Sequence, residues 1–204
     1  MFVRTVYAVG DPQKIDAAIE ALKDEGRMLL AAQPGYRGMG LFADRELGKL
    51  SIGTWWDSEK ARQDSDDALR TRRAEILHAF ATAMTIDNWE VIAAQRPEQL
   101  PSGACMRMSR MEFDPMDADL AAETMRGMVM DRLKAIPGVI GVAMFMNRSA
   151  GRSSIGVIYQ DRTALAQSRG PVAQLRDEAV GKAHSTVRSV EEFEVIVTES
   201  ISDS

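Results

Sequence analysis

Leu30-Ala31-Ala32-Gln33-Pro34-Gly35-Tyr36-Arg37-Gly38 returns later in the chain as Leu133-Lys134-Ala135-Ile136-Pro137-Gly138-Val139-Ile140-Gly141, 103 residues on. Leucine, alanine, Pro-Gly and a second glycine fall in register. Those are the residue types that close a helix and start a strand. Extending the offset in both directions keeps the match without a gap. Arg4 meets Arg107, Asp11-Pro12 meets Asp114-Pro115, and Asp16, Ala18 and Glu20 meet Asp119, Ala121 and Glu123. Phe42, Arg45 and Gly48 meet Phe145, Arg148 and Gly151; Ser51-Ile52-Gly53 meets Ser154-Ile155-Gly156; Ser65, Arg73 and Glu75 meet Ser168, Arg176 and Glu178. One extra residue then shifts the register, and Trp89-Glu90-Val91-Ile92 meets Phe193-Glu194-Val195-Ile196. A repeat of this length is a domain duplication and not a solenoid period.

Each copy has the same local pattern. Phe2 to Val9 is β-prone, and Asp11-Pro12 starts a helix with Asp as N-cap and Pro at the first helical position. Ile15, Ala18, Ile19, Leu22, Gly26, Leu29 and Leu30 share one helical face. Tyr36 to Ala43 and Leu50 to Trp56 form a hairpin around a turn containing Gly48. A second helix is expected from Ser58 to Ala83, broken near Ser65, and Gly170-Pro171 breaks the same place in the second copy. Asp87 to Ala94 is the last strand. The expected division is a repeat over 1–95, a linker over 96–104 and a repeat over 105–204.

Strand, helix, hairpin, helix, strand is a ferredoxin-like half, an antiparallel sheet with both helices on one face. Strand residues such as Leu41, Phe42, Val195 and Ile196 are apolar in succession, so neither sheet face is built for water. The fold class expected is therefore α+β: two βαββαβ repeats pairing their antiparallel sheets into one intrachain barrel.

The order βαββαβ, the Pro-Gly after the first helix and Trp56-Asp57-Ser58-Glu59 at the end of the third strand carry a further likeness. On these residues the chain resembles the antibiotic biosynthesis monooxygenase family of the dimeric α+β barrel superfamily, over both copies. The resemblance implies a pocket between the sheet and the two helices of each unit. It also implies either cofactor-independent oxygenation of an aromatic or polyketide-like molecule or a non-catalytic binding barrel. Haem-degrading members use an Asn on the first strand with a Trp and a His on the second helix. Here the first strand has Arg4, Thr5 and Tyr7, and the second helix has no Trp and only a late His78, so haem degradation is not expected.

Leu69, Arg73, Ile76 and Phe80 recur at spacings of 4, 3 and 4, which sets Arg73 within an apolar helix stripe. Val172, Arg176, Ala179 and Ala183 repeat it. A guanidinium there needs a partner: a protein carboxylate, solvent reached by its long stem, or the anion of an acidic or phenolate substrate. Arg4 and Arg107 on the first strands pose the same choice. Tyr7, Trp56 and its counterpart Tyr159 are core residues or stack on a flat substrate, and the resemblance places Trp56 and Tyr159 at the pocket wall. Ser65 and Ser168 are expected as helix N-caps. The six methionines at 106, 108, 111, 125, 128 and 130 point to a looser pocket in the second copy.

The bulk numbers limit partners. A formal net charge of −5 argues against nucleic acid, which needs clustered Lys and Arg. No apolar run approaches a membrane span. Cys105 is the sole cysteine, so no intrachain disulfide or cysteine metal cluster forms, and neither His78 nor His184 has metal-site spacing. With no signal-type segment at Met1 to Tyr7, the expectation is a cytoplasmic protein without cofactor or metal. It binds a small apolar or aromatic molecule, as a monomeric pseudo-dimer or a homodimer.

Overall fold

The computed structural model describes residues 1–200. The first copy runs β1 (Phe2–Gly10), a 3-10 turn (Pro12–Lys14), α1 (Ile15–Ala21), a π turn (Leu22–Gly26), α2 (Arg27–Ala31), β2 (Tyr36–Asp44), β3 (Lys49–Trp56), α3 (Glu59–His78) and β4 (Ala81–Gln95). The second repeats it: β5 (Cys105–Phe113), a 3-10 turn (Pro115–Asp117), α4 (Ala118–Thr124), a π turn (Met125–Val129), α5 (Met130–Lys134), β6 (Val139–Asn147), β7 (Arg152–Tyr159), α6 (Arg162–Gln167), α7 (Arg169–Lys182) and β8 (Ser185–Ser200).

The start signals act as their chemistry requires. Asp11 and Asp114 accept from the backbone N–H of Gln13 and Met116, with Pro12 and Pro115 opening the first turn. Ser58 caps α3 through the N–H of Ala61, and Asp161 caps α6 through that of Ala164. Gly48 and Gly151 sit in the left-handed region at φ +61° and +60°, where the hairpin turn folds onto the end of the preceding first strand. A Cβ on Gly48 would lie 2.3 Å from the Gly10 carbonyl oxygen, so only glycine fits.

Two expected boundaries move. The second helix of the first copy stops at His78 rather than Ala83, and β4 starts at Ala81. The β-prone residues Thr82, Thr85 and Ile86 extend the strand, and Thr82 Oγ1 donates to the Val9 carbonyl of β1 at 3.1 Å. The break expected near Ser65 is absent, because the Ser65 hydroxyl turns back onto the Arg62 carbonyl within an unbroken α3. In the second copy the break is real and falls at Ser168, just before Gly170-Pro171.

The strands follow the order β1-β3-β2-β8-β5-β7-β6-β4 in a closed, antiparallel barrel. Within each copy the order is that of a ferredoxin-like sheet, with β3 between β1 and β2 and β7 between β5 and β6. The compact units are residues 1–89 with 195–200, and Glu90–Glu194, so their limits fall inside β4 and β8. In the first unit Ile15, Ile19, Leu22, Leu41, Leu50 and Leu77 are core. In the second the methionines do this work: Met125, Met130, Met144 and Met146 are buried in its core.

Candidate functional site

The repeated arginines of the first strands and the repeated serines of the second helices meet. In the first copy Arg4 Nη2 donates to the Arg62 carbonyl and to Ser65 Oγ, the latter at 2.9 Å. In the second, Arg107 Nη2 donates to the Leu165 carbonyl at 2.8 Å and Nη1 to Ser168 Oγ at 2.9 Å. Both hydroxyls donate onward to the same carbonyls, at 2.7 and 2.8 Å. Ser65 is therefore not an N-cap, and Ser168 stands at the N-cap position of α7 but makes no side-chain cap bond. They are buried relays that hold an arginine against a helix. The sequence carried this signal as two coincident repeats, Arg with Arg and Ser with Ser, which were not connected because they lie 61 residues apart.

Trp56 and Tyr159 back these arginines. The Arg4 guanidinium carbon lies 5.6 Å from the Trp56 ring centroid, and that of Arg107 lies 5.4 Å from Tyr159. Trp56 is locked by its Nε1 bond to Thr54 Oγ1 at 3.0 Å and by Tyr36 edge-on at 5.6 Å. Both Trp56 and Tyr159 are fully buried, so they support a cation rather than form an accessible wall. Tyr7 is half-buried on the face of β1 opposite Arg4 and Val6, away from the helices.

The copies differ in how the cation is neutralised. Arg107 donates from Nε and Nη2 to Glu192 of β8, at 3.2 and 2.9 Å, and the exposed Arg169 shares that carboxylate. Partial burial works to raise the Glu192 pKa, but the bonds from Arg169 and Arg107 outweigh it and hold the carboxyl below its usual range. In the first copy the strand position of Glu192 is Asn88, and the helix position of Arg169 is Asp66. Asp66 accepts from Arg73 Nη2 at 2.8 Å and lies 3.5 Å from Arg4 Nε. Here too burial works to raise the carboxyl, while Arg73 and the charge of Arg4 bring it below the ordinary value. One carboxylate thus faces two largely buried guanidinium groups, with Arg4 2% and Arg73 13% exposed. Burial pushes Arg4 down to about 10, and it stays charged at neutral pH. Arg4 Nε and Arg73 Nε are buried without a hydrogen-bond partner.

These two arginines line a cavity of about 50 Å³ between β1, β3, the π turn, α2 and α3, with otherwise largely apolar walls that include Leu22, Gly26, Leu69 and Ile76. That is several times the ~10–15 Å³ one water needs and less than the ~150 Å³ known to hold benzene. The position of Gly26 is Val129 in the second copy and that of Leu22 is Met125, both buried in core. Of the methionines expected to loosen a pocket in the second copy, Met125 and Met130 are buried in its core and Met128 packs against it. Arg176 is half-buried and forms no ion pair or hydrogen bond among the described residues. His78 is exposed, and His184 is exposed beside Asp117 Oδ2 at 3.3 Å. Among the described residues no cluster of three His, Cys, Asp or Glu could hold a metal, and no helix is long and apolar enough to cross a membrane.

No family model matches the chain. An uncharacterized protein of Mycobacterium tuberculosis is 22% identical over 198 residues, covering 97% of this chain and 84% of its own length. A candidate monooxygenase structure from Fusobacterium nucleatum superposes with a TM-score of 0.73 at 12% identity, over 98% of this chain and 94% of that one. A structure named as an anthrone oxidase-like protein gives 0.70 at 14% identity, over 98% and 92%. A ferredoxin-fold protein of Listeria monocytogenes, described as related to antibiotic biosynthesis monooxygenases, gives 0.52 at 7% identity, over 95% and 94%. With two βαββαβ copies closing one eight-stranded barrel, the chain has the fold of the antibiotic biosynthesis monooxygenase-like proteins as a tandem duplication.

Proposed function

We propose that the chain is a cofactor-independent monooxygenase of a small enolisable or phenolic molecule, working from the cavity of the first copy. One observation carries this reading: two largely buried guanidinium groups, each with a buried and unpartnered Nε, line an otherwise largely apolar cavity beside a single carboxylate. Such donors are placed to hold an oxyanion in a site of low dielectric, where each charge-assisted bond counts most. The likeness to a protein named as anthrone oxidase-like supports the reaction class.

In that class a substrate methylene loses two hydrogens and gains an oxygen atom as a carbonyl, while the second atom of O2 leaves as water. Arg4 and Arg73 stabilise the enolate or phenolate that surrenders electrons to O2. Trp56 and Ser65 keep Arg4 in place. Tyr159 and Ser168 do the same for Arg107, whose charge Glu192 already meets. Asp66 is tied to Arg73 and depressed in pKa, so it is a poor base. The substrate therefore enters already ionised or with an acidic proton of its own. That same lack of a free base favours a second reading, a binding barrel for a small apolar acid without turnover.

Oxygen uptake with anthrone-like and hydroquinone substrates tests the proposal. Uptake should fall about a hundredfold in Arg73→Ala, as for loss of one oxyanion donor, and stay unchanged in Arg176→Ala. Binding without uptake in the wild type selects the second reading. Uptake that ignores Arg73 removes the site.

A further inference from the structure

We infer that the first-copy cavity binds one short-chain apolar monocarboxylate per chain, held by Arg4 and Arg73, and that the matching place in the second copy binds none. The inference rests on the site proposed above and narrows its ligand by charge, size and number.

The charge follows from the groups around the cavity. Arg4 is buried, Arg73 is largely so, and they share Asp66. The others that approach have partners of their own: Arg70 lies exposed against Asp66 and Asp67, and Arg62 lies 3.5 Å from Glu59. Between the two cations that line the cavity and the carboxylate they share, one positive charge is in excess, and a monoanion cancels it; a desolvated charge left unmatched is costly. Two oxygens suit two N–H donors on different side chains. The size follows from the cavity: at about 50 Å³ it seats a short chain, and the rings of any larger molecule would lie in its open mouth.

The number follows from comparing copies. At the second-copy positions, Glu192 takes both Nε and Nη2 of Arg107, and the second cation on that carboxylate, Arg169, is 63% exposed to water. Arg176, at the position of Arg73, is half-buried without an ion pair among the described residues, so space more than charge separates the copies. Val129 in place of Gly26 and Met125 in place of Leu22 fill the corresponding space with core. Valine is evidently tolerated within this π turn, and a Cβ on Gly26 would approach Leu22 Cδ2 no closer than 3.4 Å. Gly26→Val therefore fills the cavity while both arginines remain.

Isothermal titration of the full chain with propionate, isobutyrate and the neutral isostere isobutyramide is the test, with folding of each variant checked by circular dichroism. Isobutyrate should bind at one equivalent and isobutyramide roughly tenfold or more weaker, the loss expected when a charge-assisted bond becomes neutral. Gly26→Val and Arg73→Met should both abolish binding, and Arg176→Met should leave it intact. Equal binding of acid and amide, two equivalents per chain, or binding that survives Gly26→Val would overturn the inference. The two proposals fail separately. Arg73-dependent oxygen uptake without any carboxylate binding would sink this one alone, and isobutyrate binding without oxygen uptake on any substrate would sink the oxygenase reading alone.

Discussion

Replacing Asp66 with Asn keeps the shape of the side chain and removes the one charge that Arg4 and Arg73 share. Truncating one partner of a buried pair costs ~3–5 kcal/mol because the remaining charge is stranded. Asp66 is 24% exposed, so water screens part of that, and a loss of about 2–3 kcal/mol is expected. For a chain of this size each kcal/mol moves the melting temperature by roughly 2–4 °C, giving a drop of about 5–10 °C in a calorimetric or circular-dichroism melt. The physical claim is that the cost is an excess of cations, which a second substitution can isolate. Removing one cation in Asp66→Asn/Arg73→Met should make the double variant more stable than Asp66→Asn alone, with a coupling of about 1–2 kcal/mol between neighbours. An Asp66→Asn protein that melts within about 1 °C of wild type, or strictly additive effects in the cycle, would refute the reasoning.

Two further outcomes follow from the same contacts. Ser168→Ala leaves Arg107 Nη1 with only the Tyr159 hydroxyl at 3.3 Å, and should cost about 1–2 kcal/mol as a lowered urea midpoint; an unchanged midpoint would show that the relay is not needed. Asp66 and Glu192 both titrate below their ordinary range when folded, so their stabilisation is full above the unfolded carboxylate pKa of about 4 and drains away as pH falls below it. Glu192→Gln should therefore flatten the acid limb of the stability profile, and an acid limb as steep as wild type would count against Glu192 as an anion bound by Arg107.

The duplication, the order of elements and the antiparallel ferredoxin-like halves were legible in the chain because they are local or periodic. Pro-Gly after a helix, Asp-Pro before one, and glycine where φ is positive each act within a few residues. An internal repeat reports them twice. The arginine of the helix stripe was also legible, since a guanidinium among Leu69, Ile76 and Phe80 breaks the pattern at a fixed spacing. Where that guanidinium ends was not. Arg73 finds Asp66 seven residues back and a cavity wall shared with Arg4, 69 positions earlier, while its repeat Arg176 finds no carboxylate among the described residues.

What tertiary structure decided is pairing at a distance. Ser65 reads as a cap beside Asp66-Asp67, and only the approach of β1 to α3 turns it into the partner of Arg4. Trp56 reads as a stacking surface, and only its complete burial beneath the same arginine removes it from solvent. The choice of carboxylate, Asp66 from a helix or Glu192 from a strand, depends on two positions far apart in sequence that exchanged roles between the copies. The chain by itself determines its fold, because backbone conformation and apolar period are set by near neighbours. It does not determine which carboxylate meets each buried arginine, because a charge is balanced through space and by whichever side chain the packed fold brings within reach.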